Sequence, residues 1–102
     1  MAKPYGNLHI RSQVAQDKQR IQNVAVKTAV AGAVKIVLWG IIITNADVAA
    51  QTVTIQDGAT TYNVIKVPAG TTLPITNLGV GFDDLEITPS SANLDIAVFY
   101  SS

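Results

Sequence analysis

Three carboxylates crowd into Asp83-Asp84-Leu85-Glu86, and oxygen ligands at that density are what a hard cation such as Ca²⁺ requires. The spacing lacks the alternating acids and the distal bidentate glutamate of an EF-hand loop. On a strand from Leu85 to Thr88, Glu86 would point away from Leu85 and Ile87 toward water, so a soluble turn and strand edge is the expected role and no metal is assigned. His9 is the one imidazole, and it stands in a polar stretch poorly suited to the fixed geometry that a catalytic base needs. No serine has a Gly-x-Ser-x-Gly context, and Gly79-Val80-Gly81 lacks the following glycine of a dinucleotide fingerprint. The chain has no cysteine, which removes disulfides and thiolate metal sites. These residues point away from an enzyme and imply no cofactor.

Aromatic and basic side chains offer binding rather than bond-making. Trp39 falls in an apolar run where strict alternation puts Val37, Trp39 and Ile41 on one face and Ile36, Leu38 and Ile42 on the other, so both faces, Trp39 included, are expected to be buried. Tyr5, close to the N-terminus, is better placed as an anchor for another molecule, since it joins apolar area to a polar tip. Lys3, Arg11, Lys18, Arg20, Lys27 and Lys35 oppose only Asp17 in residues 1–35, a net +5. Residues 36–102 carry Lys66 against Asp47, Asp57, Asp83, Asp84, Glu86 and Asp95, a net −5. The formal net charge of zero thus hides a dipolar chain whose basic end suits an acidic partner. One aromatic and a moderate charge density fit nucleic acid poorly, so an acidic protein surface is the expected partner and direct nucleic-acid binding is not.

The elements that must position these groups are mostly strands. Residues 1–20 are polar, with Pro4 and Gly6 early, and read as an extended arm; a short helix from Ser12 to Gln22 competes, because Ser12 could cap it. From there Val24, Val26, Thr28 and Val30 alternate with Ala25, Lys27 and Ala29, as on a half-buried strand. Val34 to Thr44 is dominated by β-branched residues and reads as the central strand, with Gly40 marking a bulge or a close backbone approach. Thr52 to Gln56 ends at Asp57-Gly58, a dipeptide suited to a tight hairpin, and Thr61 to Val67 returns beside it. Thr71 to Thr76 is restricted by Pro74 to an edge or a bulge, and Leu85 to Thr88 and Leu94 to Tyr100 supply two more strands. The expected architecture is an all-β antiparallel sandwich or jelly roll of about seven or eight short strands, residues 24–102, preceded by an extended arm, residues 1–23, of net +3.

Composition is consistent with this division. A body of this size is marginal on its own core, and self-association is the natural supplement. The longest apolar stretch, Ala29 to Thr44, is interrupted by Gly32, Lys35 and Gly40 and is too short for a membrane span of about 20 residues. The N-terminus lacks the apolar core of a secretory signal. A soluble protein made in the cytoplasm is therefore expected.

The runs Trp39-Gly-Ile-Ile-Ile-Thr-Asn45, Thr52-Val-Thr-Ile-Gln-Asp-Gly58, Val67-Pro-Ala-Gly-Thr-Thr72 and Leu94-Asp-Ile-Ala-Val-Phe-Tyr100 resemble the small β-sandwich head-decoration, or cement, proteins of tailed bacteriophages. The resemblance covers roughly residues 34–100, in strand-and-turn style. It implies a non-enzymatic virion protein that binds the outer surface of an assembled capsid as an oligomer, a trimer favoured over a dimer, after synthesis in the host cytoplasm. The partner it implies is the major capsid protein, bridged through a terminal arm. On that expectation Lys3, Arg11, Lys18 and Arg20 pair with capsid carboxylates, while Tyr5, Leu8, Ile10 and Val14 fill shallow apolar sites. The alternative is a carbohydrate- or receptor-binding sandwich of a tail or fibre, using loops such as Gly79 to Asp84.

Overall fold

β-branched and apolar residues at two-residue spacing make most of this chain pair into strands, with Gly, Asn, Pro and Ser at the breaks. The structure, a computed structural model, describes residues 17–102. Among them are nine strands: β1 (Asp17–Gln22), β2 (Thr28–Ala29), β3 (Ile36–Asn45), β4 (Gln51–Asp57), β5 (Thr60–Val67), β6 (Thr72–Ile75), β7 (Val80–Phe82), β8 (Leu85–Pro89) and β9 (Leu94–Ser101). They form two antiparallel sheets, one ordered β1-β9-β3-β6 with β7 also on β3, the other β2-β8-β4-β5. The chain is all-β over these residues, and no helix among them is long and apolar enough to cross a membrane.

The core lies between the sheets and draws on both. Leu38, Ile41, Ile43, Ile96 and Val98 come from the first sheet, Val53, Ile55, Leu85 and Ile87 from the second, and all are buried. Burying each such side chain stabilises the fold by roughly 1.5–3 kcal/mol relative to leaving it in water. Asn45 is the one polar residue in this layer, with no exposed surface. Its Nδ2 donates to the carbonyls of Ala49, Val67 and Pro68 at 3.1, 3.0 and 3.2 Å, and its Oδ1 accepts from Asp47 N–H at 2.8 Å. One side chain thereby ties the end of β3 to the turn after β5.

The Asp57-Gly58 hairpin forms as expected. β4 and β5 pair up to Asp57 and Thr60, leaving Gly58 and Ala59 as a two-residue connection with Gly58 at φ 60°. Glycine with positive φ in the first loop position is the type II′ arrangement, whose twist suits a hairpin. Pro74 sits on β6, at the edge of its sheet, where a missing N–H costs no ladder bond.

Gly40 does mark a bulge, and the bulge overturns the expected facing of the central strand. Leu38 pairs with Tyr100 and Gly40 with Phe99, so Trp39 is the extra residue. An extra residue resets the alternation. Ile41 and Ile43 therefore join Ile36 and Leu38 in the core, while Ile42 turns outward with Val37 and Trp39. Trp39 is half-buried on the outer face rather than in the core, and its indole N–H donates to Ser101 Oγ at 2.8 Å. The loop before β7 is hung on this bulge, through Leu78 N–H to Trp39 C=O at 3.0 Å and Gly79 N–H to Leu38 C=O at 2.9 Å.

Two further expectations are corrected. The alternation at Val24 and Val26 is not a strand: both side chains are exposed, and only Thr28 and Ala29 pair with β8. Residues 17–22 are neither helical nor free. They form β1, whose six residues pair antiparallel with β9 from Asp17 against Tyr100 to Gln22 against Asp95. The sheet thus begins inside the stretch read as arm, and residues 1–16 of that arm lie outside the described residues.

Candidate binding face at the N-terminal edge

Alternation along β1 decides which of its side chains meet the core and which face outward. Ile21 is buried, and Gln19 on the same face closes the gap between the sheets: its Nε2 donates to Ala29 C=O and its Oε1 accepts from Ala31 N–H, both at 3.0 Å. That acceptor holds Ala31 within a run of three left-handed residues, Ala31, Gly32 and Ala33 at φ 59°, 70° and 64°. Lys18, Arg20 and Gln22 take the opposite, outer face.

Of the residues expected to grip a capsid, Lys3, Tyr5, Leu8, Ile10, Arg11 and Val14 lie outside the described residues. Lys18 and Arg20 are brought together on one face, two positions apart on β1. They differ in engagement. Arg20 Nε and Nη2 donate to the two carboxylate oxygens of Asp95 at 2.9 and 2.5 Å, a fork on fork across the β1–β9 ladder. The Arg20 hydrogen bond is the main reason that the Asp95 carboxyl lies below its ordinary range. Lys18 is exposed. Arg20 thus first fastens the edge strand to its neighbour, a role that residue type and spacing alone do not reveal.

These residues border a concavity of about 500 Å³ on the outer face of the first sheet. Register explains its lining. Lys18, Arg20 and Gln22 stand opposite Phe99, Ala97 and Asp95, which in turn stand opposite Gly40, Ile42 and Thr44. Ile42, Ala97 and Phe99 give an apolar floor; Lys18, Thr44 and the Arg20–Asp95 pair give polar walls. The Phe99 ring crosses Gly40, with Cδ2 4.0 Å from where a Cβ would stand. Such a face can take the apolar side of an extended peptide or the C–H face of a sugar, with polar groups fixing orientation. Ile42 lines it because of the bulge, which is why alternation alone missed it.

The acidic group at the end of the sandwich is internally occupied. The Asp57 carboxylate accepts from Asp84 N–H at 2.9 Å and Asp83 N–H at 3.5 Å, and Asp83 lies 3.9 Å from Lys35 Nζ. Asp84 Oδ1 is buried without a hydrogen-bond partner among the described residues. Among the described residues no three His, Asp or Glu side chains gather at metal-binding spacing. At the opposite end, Asp47 Oδ2 accepts from Gln51, Ser91 and Asn93, and the Ser91 and Asn93 bonds are the largest causes holding its carboxyl below the ordinary range.

No family model, curated protein or solved structure matches this chain.

Proposed function

We propose that this chain is a structural virion protein that binds the outer surface of an assembled phage capsid and stabilises it by bridging neighbouring major capsid subunits. The observation that carries the reading is the strand order, β1-β9-β3-β6 over β2-β8-β4-β5. Successive strands cross between the two sheets at every connection except β4 to β5 and β6 to β7, and the late strands β8 and β9 insert between early ones. With β7 counted as an addition on β3, that interleaving supports a jelly-roll reading of the sandwich, an architecture used by viral capsid proteins and lectins.

In this reading the body is a homo-oligomer and residues 1–16 are the strap. Lys3 and Arg11 pair with capsid carboxylates, and Tyr5, Leu8, Ile10 and Val14 fill apolar sites. Lys18 and Arg20 extend the contact onto β1. The strap leads into a strand held by six ladder pairs and a bidentate ion pair, so tension on it is delivered to a sheet rather than to a loop. Single rim ion pairs contribute below about 1 kcal/mol. Several straps engaging one capsid gain roughly 10²-fold or more by avidity. Catalysis has no place in this mechanism. The test is co-sedimentation with heads assembled from the major capsid protein encoded in the same genome.

The concave face supports a second reading, a carbohydrate- or receptor-binding module. Phe99 with Thr44 and the Arg20–Asp95 pair has the mixture of aromatic floor and fixed polar groups that sugar sites use. In the loop Gly79 to Asp84, the backbone N–H groups of Asp83 and Asp84 are held by the Asp57 carboxylate, which ties that loop to the end of β4. Glycan-array binding abolished by Phe99→Ala would favour this reading over the capsid one.

A further inference from the structure

Each outer strand of a sheet exposes unpaired backbone groups, and proteins blunt such edges with charge, proline or shortness. Three of the four edges here are blunted in these ways. β1 carries Asp17, Lys18 and Arg20; β6 has four residues and Pro74; β2 has two residues. β5 differs. It runs eight residues from Thr60 to Val67 with Lys66 as its single charge, and residues 59–82 around it hold no other. Tyr62 and Val64 on it are 57% and 53% exposed.

Among the described residues the flank beside β5 is also open. At the β1–β2 flank Gln19 bonds across the two sheets. At the β5 flank there is instead a crevice of about 80 Å³ between Tyr62, Asn63 and Ile65 on one sheet and Ile75, Leu78 and Val80 on or beside the other. Val64 N–H faces away from β4: it donates to its neighbour Asn63 Oδ1 at 2.8 Å. The bulge at Tyr62 leaves Asn63 to Val67 as a regular pairing surface.

We infer that β5 is a self-association edge, pairing antiparallel with β5 of a second copy of this chain about a two-fold axis near Val64. The occupant follows from charge and continuity. A flank with one lysine meets its own copy without like-charge repulsion, because this register keeps Lys66 four positions away from the second copy's Lys66. The β2-β8-β4-β5 sheet then continues across the axis, and the second copy's Ile65, on the core side like its ladder partner Val53, comes over the mouth of the crevice. The contact is isologous and closes at two copies, so it builds a dimer rather than the trimer expected from the resemblance. The inference rests on the self-association part of the proposed function and does not involve the capsid.

The test is light scattering of the full chain across a concentration series, with Val64→Pro, Val64→Lys and, on the opposite edge, Lys18→Glu. Val64→Pro removes the edge-facing N–H without touching the β4 ladder, and Val64→Lys places two cations across the axis. A wild-type dimer whose dissociation constant rises at least tenfold in both Val64 variants, but not in Lys18→Glu, is the expected result. Retained circular dichroism shows that the variants still fold. Amide exchange at Val64 that slows with protein concentration gives the same answer independently. A monomeric wild type, an oligomer unaffected by both Val64 variants, or equal weakening by Lys18→Glu overturns the inference. A dimer that obeys the test yet fails to sediment with heads contradicts the capsid reading alone.

Discussion

Asn45 shows how much one side chain can organise. Its amide serves three carbonyls and one N–H from a fully buried side chain, and the bond to Val67 C=O is itself buried, so removing it strands that acceptor away from water. Asn45→Ala is expected to cost about 3 kcal/mol, read as a lower midpoint in urea unfolding; a loss within scatter would mean that water replaces the amide. Two half-buried carboxylates act differently. Asp95 is held low by Arg20 and Asp47 by Ser91 and Asn93, so each has a folded pKa below the unfolded value of about 3.9. In that window the unfolded chain binds more protons, so their stabilisation is present above about pH 4 and is lost as pH falls through the folded values. The urea midpoint should be flat from pH 7 to 5 and decline below about pH 4, with a shallower decline in Asp47→Asn. An equally steep decline in that variant would remove Asp47 from the account. Asn45 reads in the sequence only as the start of a turn, because two of its three carbonyl partners, Val67 and Pro68, belong to a turn more than twenty positions away.

At the scale of elements, what was legible was the local grammar. Pro74 announced an edge, Asp57-Gly58 a hairpin, and the β-branched run a central strand, since each depends on backbone preferences within a few residues. Facing was not legible past residue 39. The bulge is written as a single Gly40, and a glycine can equally mark a close approach; it marks both, as a Cβ there would stand 3.2 Å from Ile75 C=O. Gly40→Ala must push β6 or straighten the bulge, at a cost of about 1–3 kcal/mol. A variant as stable as wild type would show that β6 yields freely. Val24 and Val26 misled for the reverse reason, because alternation over a few residues also arises where no neighbour strand is available. β7 is three residues long and was unreadable, its Val80-Gly81-Phe82 held by pairing to β3 rather than by propensity.

For the whole molecule, the fold class was legible and the site only in part. Lys18 and Arg20 were singled out from charge, yet their common face and the concavity beside them depend on β9 and β3, contacts some 20 to 80 positions away in sequence. The bounds of β1 also decide where the proposed strap is best cut. Removing residues 2–20 would delete most of β1 and confuse loss of binding with damage to the sheet, whereas removing residues 2–16 leaves every ladder pair of β1 in place. The most direct measurement is therefore co-sedimentation of the 2–16 deletion and the full chain with heads assembled from the major capsid protein encoded in the same genome. The account predicts that the deletion keeps the circular dichroism and oligomeric mass of the full chain and loses capsid binding by a factor of 10² or more. Undiminished decoration by the folded deletion would contradict it.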